Sequence, residues 1–154
     1  MLDGLFVTPA VSAIVEALGA STGPIAVVGH AKLAAALAAT RDVVPVALSP
    51  RAAKKQPRAI AALTEVAAGT FAAVIGVDLA TRADWEPTLA GWTRAVRDGG
   101  TIVCVDHGHA ADASRRALCG GLTELEQRHA GRSVVTSGLV SHLRALVDAA
   151  AAAR

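Results

Sequence analysis

Apolar residues in this chain fall into two rhythms, and they alternate. Ile25–Val28, Val43–Leu48, Phe71–Val77 and Thr101–Val105 are short, nearly unbroken apolar runs. Runs of that length predict strands buried on both faces. Between them the apolar residues return every three or four positions, as in Val11, Ile14, Val15 and Leu18, or Trp85, Leu89, Trp92 and Val96. That spacing predicts amphipathic helices. Thr8-Pro9 reads as a cap and first turn, so the first helix is expected over 9–18, closed by Gly19. Helices are expected over Ala31–Ala39, after Ser49-Pro50, from a cap at Asp84 to Gly99-Gly100, over Ala111–Cys119, and over about 141–154. Ala59–Leu63 predicts a short, weak strand. Leu122–Arg128 and Ser133–Thr136 predict a hairpin turning at Ala130-Gly131.

Strands alternating with helices predict a single α/β domain over 1–154, with a mostly parallel sheet covered on both faces. At 154 residues and 53% apolar the chain can bury a sizeable core. Much of that share is alanine, so Leu, Ile and Val carry most of the burial energy. A formal charge of +2 gives no reason to expect nucleic acid or an acidic membrane as partner. No run approaches the roughly 18 apolar residues of a spanning helix, and the N-terminus lacks a signal-peptide pattern. Cys104 and Cys119 form neither a disulfide framework nor a metal-finger spacing. The expectation is a cytoplasmic protein.

The order of elements, with FAAVIGVDL, VRDGGTIVCVD and CGGLTELEQRHAGRSVVTSG across 71–138, resembles the class I S-adenosylmethionine-dependent methyltransferases. ALSPRAAKK at 47–55 is similar to the end of their second strand. The resemblance spans roughly residues 10 to 140. It implies a three-layer Rossmann-like sheet of about seven strands, order 3-2-1-4-5-7-6, with an antiparallel closing hairpin. It also places that family's cofactor positions. The acidic residue of its first motif falls on Val27, and the alternate glycines on Gly29, Ala31 and Leu33. The acid that grips the ribose falls on Ala47, and the frequent Phe-Asp of the fourth strand on Phe71-Ala72. Asp78 ends that strand. One glycine of three remains and the ribose acid is absent. Losing a charge-assisted hydrogen bond costs about 1.5–3 kcal/mol, so the motifs read as degenerate and no cofactor is expected.

Other polar residues sit at expected strand ends, where open α/β sheets bind ligands. His30 ends the first strand, Asp78 the fourth, and Asp106, His107 and His109 the fifth. If those strands are neighbours, the side chains converge. His30, Asp78, Asp106 and His107 are then candidate catalytic residues, and His30, His107 and His109 candidate metal ligands. The basic stretch RAAKKQPR is compatible with a phosphate, an acidic partner or plain solvation. Leu143, Leu146, Val147 and Ala150 give the last helix an apolar stripe that fits its own domain or a second chain equally well.

Three functions follow as expectations. The first is a methyltransferase-like domain without S-adenosylmethionine, acting by binding another protein or itself. The second is a divergent methyltransferase that uses S-adenosylmethionine. The third is a metal-binding or His/Asp enzyme built on the strand-end cluster.

Overall fold

The computed structural model describes residues 2–154, with side chains described for residues 9–143 and 147–154. The chain runs α1 (Leu2–Leu18), β1 (Ile25–Val28), α2 (Ala31–Ala38), β2 (Val43–Val46), α3 (Pro50–Ala53), a 3-10 turn (Leu63–Glu65), β3 (Phe71–Val77), α4 (Trp85–Ala95), β4 (Val96–His107), α5 (Ala110–Cys119), β5 (Thr123–Ala130), β6 (Ser133–Leu139) and α6 (His142–Ala152). One six-stranded sheet has the order β2-β1-β3-β4-β6-β5. Its first four strands are parallel, while β6 runs antiparallel to both β4 and β5. This is the expected Rossmann-like arrangement with one strand fewer.

The buried runs work by alternation. Val27, Ile75, Val103 and Val135 face α1 and α2, where they meet Ile14, Leu18, Leu33 and Leu37. Their neighbours Ala26, Val74, Ile102 and Cys104 face the other way, onto Leu89, Trp92 and Ala117 of α4 and α5. A period-two strand with helices on both sides has no polar face, which is why each run is continuous. Gly76 of β3 leaves room for the Trp92 ring, which occupies the space a Cβ there would fill.

Several expected boundaries are corrected. The expected third strand, Ala59–Leu63, is reduced to one parallel bridge between Val46 and Ile60, and the chain then tightens into the 3-10 turn. The segment is alanine-rich, with little β-branched surface to pack on a sheet. The first helix begins at Leu2, so Thr8 lies inside it rather than capping it; the Thr8 side chain lies outside the described residues. α4 ends at Ala95, not at Gly99-Gly100, and Val96 turns extended (φ −89°, ψ 138°) to pair with Phe71. A β-branched residue four positions after Trp92 satisfies the helical spacing and the strand equally well. Asp84 stands at the N-cap of α4, but its side chain makes no cap bond and instead pairs with Arg82. The helix after Ser49-Pro50 lasts a single turn. Two contacts that sequence patterning does not show fasten the far end. The Asp98 carboxylate accepts the His142 N–H at 2.8 Å, and the His142 ring bonds the Val96 carbonyl at 2.7 Å.

Candidate functional site

The C-terminal ends of the parallel strands share a backbone device. Gly29 after β1 (φ 73°), Ala47 after β2 (φ 55°), Asp78 after β3 (φ 57°) and His109 after β4 (φ 57°) all turn through the left-handed region. Gly29 adopts it without cost, and Asp tolerates it through its short polar side chain. Ala47 has neither advantage. These turns throw the following residues across the top of the sheet.

His30 caps α2: its Nδ1 accepts the Leu33 N–H at 3.1 Å. With Nδ1 an acceptor, the neutral ring carries its proton on Nε2 and offers a donor. A cleft of about 190 Å³ opens beside it, lined by Ala10, His30, Leu33, Asp78, His107 and Ser133 among others. The expected convergence of His30, Asp78 and His107 is thus present in the geometry. The His107 Nδ1 lies 3.9 Å from the Asp78 Oδ1, with both side chains more than half exposed (67% and 59%). That is beyond hydrogen-bond range, and so open a pair contributes little energy. Ser133 was not marked by the sequence patterning. It enters because the β4–β6 register sets it opposite His107.

Two candidates turn elsewhere. His109 faces its own helix, 3.9 Å from Asp112. Among the described residues no three His, Cys, Asp or Glu side chains gather to hold a metal ion. Asp106 is only 1% exposed and points under the loop after β3, where its Oδ1 accepts the Ala80 N–H at 2.8 Å. Its Oδ2 has no hydrogen-bond partner among the described residues. Burial, reinforced by the Asp78 charge, raises its carboxyl above the usual range, against the lowering effect of the Ala80 bond. Burial likewise pushes the Cys104 thiol up. Arg116 braces the same loop by donating to the Leu79 and Arg82 carbonyls at 2.7 Å, with its guanidinium over the Trp85 ring.

The family cofactor positions can be placed one by one. Val27 is fully buried under α1 and α2. Leu33 is 3% exposed and packs in the same core. Ala31 is the first residue of α2, and its carbonyl accepts the Gln56 side chain at 3.3 Å. Ala47 is exposed and carries no acceptor. Beside it, a second cleft of about 280 Å³ is lined by Ala31, Ser49, Arg51, Ala52, Lys55 and Gln56, with no carboxylate. S-adenosylmethionine has a sulfonium, an ammonium and a ribose diol, which call for acceptors and negative charge. At the end of β2 this chain offers cations. The Leu33 cleft also falls below the roughly 300 Å³ at which small-molecule pockets begin. At the ribose position these residues lack the acceptor that cofactor calls for, and Asp78 in the first cleft is the carboxylate that remains.

No protein-family model and no curated protein sequence matches the chain. Solved structures do match. A chain of the complex between the Haloferax volcanii Trm112 methyltransferase activator and a methyltransferase superposes with a TM-score of 0.71 at 13% identity, over 89% of this chain and 90% of that one. An S-adenosylmethionine-dependent methyltransferase of Thermotoga maritima gives 0.69 at 12%, over 88% and 89%. The [4+2]-cyclase SpnF gives 0.60 at 12%, over 77% of this chain and 58% of that one. The fold is that of the class I methyltransferases.

Proposed function

We propose that this methyltransferase-fold domain does without S-adenosylmethionine and acts by binding, as a regulatory or interaction subunit for another protein. The observation that carries the reading is the end of β2. Ala47 stands at the position of the ribose acid, and Arg51 and Lys55 line the cleft beside it. Leu33 supports it, because a core side chain that also lines the first cleft stands where the family motif carries a glycine. A protein partner is consistent with a similar structure being a complex with an activator protein. It is also consistent with three large apolar side chains left in solvent, Leu118, Leu143 and Val147, each more than 60% exposed. Leu146, expected on the same stripe, has its side chain outside the described residues. Among the described residues no helix is long and apolar enough to cross a membrane.

A divergent methyltransferase is the second reading. It is favoured by Gly29, which keeps its left-handed turn, and by Asp78 in the first cleft. Calorimetry with S-adenosylmethionine and S-adenosylhomocysteine separates the two. The expected result is no binding tighter than about millimolar. Micromolar binding of either ligand would remove the proposal and install the second reading.

A further inference from the structure

Charge is unevenly spread along this chain. Between residues 31 and 58 six basic residues face the single acid Asp42, a net charge of +5, whereas the whole chain carries +2. Arg58 uses that one acid in an ion pair. The side chains of Arg51 and Lys55 have no hydrogen bond or ion pair among the described residues, and both line the cleft at the end of β2. Ser49 and Gln56 complete its polar wall. The Ser49 oxygen accepts the Ala52 N–H, so its own proton is free to be donated.

The cleft continues into a shallow trough of about 620 Å³. The two share Ala31, Lys55 and Gln56. The trough floor is apolar, made by Ala35, Ala38, Val43 and Pro45. Two unneutralised cations at one end and an apolar bed at the other match a ligand with a phosphoryl head and a flat apolar body. In α/β nucleotide sites the same exchange, an acid for a nearby arginine after the second strand, turns a diol-binding site into a phosphate-binding one.

We propose that this cleft binds the phosphoryl group of a small phosphorylated molecule, with a nucleotide as the source that also fills the trough. The proposal rests on the reading that the site does not serve S-adenosylmethionine. The phosphoryl group would sit between Arg51 and Lys55, with the Ser49 hydroxyl as a further donor. The nucleoside would lie over Ala35, Ala38 and Pro45.

The test is calorimetry on the full chain at low salt with three probes: 2′,5′-ADP, pyrophosphate and adenosine. The expected result is binding of 2′,5′-ADP and none of adenosine. Arg51→Ala and Lys55→Ala should each weaken 2′,5′-ADP at least about tenfold, the scale of one charge-assisted hydrogen bond. Lys54→Ala, outside the cleft, should leave it unchanged. Pyrophosphate binding as tightly as 2′,5′-ADP would overturn the nucleotide as source and assign the site to free phosphate. No binding of either phosphate probe up to about 5 mM would overturn the proposal, as would a Lys54→Ala effect equal to that of Arg51→Ala. S-adenosylmethionine binding that survives Arg51→Ala would sink the preceding reading alone.

Discussion

Restoring the three family positions, Ala31→Gly, Leu33→Gly and Ala47→Asp, tests the geometry of the first cleft and the proposed function together. Counting only the glycines added to a helix gives a loss of about 1–2 kcal/mol. The buried position of Leu33 changes that figure. Its side chain is 3% exposed and packs among Ile14, Val27 and Ile75 in the α1–α2 core. Truncating such a leucine to alanine costs about 2–5 kcal/mol, and going on to glycine in a helix adds about 1. Ala31 sits at the first turn and costs less. Ala47→Asp returns a little, since Asp accepts a φ of 55° better than Ala. The net loss is about 3–6 kcal/mol, out of a total that for most domains is about 5–15. Melting should fall by about 10 °C or more. Ala31→Gly with Ala47→Asp alone should stay folded and gain about tenfold or more in affinity for S-adenosylmethionine from one restored acceptor. Urea denaturation and calorimetry on both variants read the two effects. A triple variant within about 1 kcal/mol of wild type would refute the core role given to Leu33. Wild type binding the cofactor as tightly as the double variant would refute the role given to Ala47.

Two further outcomes are expected. Gly76→Ala puts a methyl group into the Trp92 ring, so stability should drop by about 1–3 kcal/mol and the tryptophan emission should shift; an unchanged melt and spectrum would show that β3 and α4 can part freely. Asp106 has its carboxyl raised above the usual 3.8 in the folded state, so the native protein binds its proton more readily than the unfolded chain. Stability from this group therefore falls as pH rises from 3.8 through the native value. Asp106→Asn keeps an acceptor for Ala80 and cannot ionise, so wild type should gain on it as pH is lowered from about 7 to about 4; parallel stability profiles for the two proteins would contradict the buried, half-partnered carboxyl.

Much of the fold is legible because burial on two faces leaves a plain record. Phe71–Val77 and Ile25–Val28 are apolar at every position for a reason the sheet makes visible, and the hairpin follows from two strand-like runs around Gly131. Val96 and Ile60 mislead for opposite reasons. Val96 satisfies two periods at once, and only its pairing with Phe71 decides between them. Ile60 lies in a segment too poor in β-branched surface to extend one bridge into a strand. In the site, His30, Asp78 and His107 were recoverable because adjacent strand ends must come together. Ser133 was not, since its place depends on the register of β6 against β4. Asp106 went the other way: a polar residue at a strand end is assumed to face water, and nothing local signals that the Ala80 N–H draws it inward.

The missing third strand leaves β2 at the rim of the sheet, and an uncovered rim invites other chains to stack onto it. Here that route is blocked. The outward carbonyl of Pro45 is taken by the Ile60 N–H, and the Ala47 N–H is spent on the Ile60 carbonyl. The Pro45 nitrogen faces the same way with no hydrogen to give. An incoming strand would find only Val43 able to exchange bonds with it. Fibril growth from this side is closed off, and a protein that docks here has to be recognised by its side chains and charge rather than by joining the sheet.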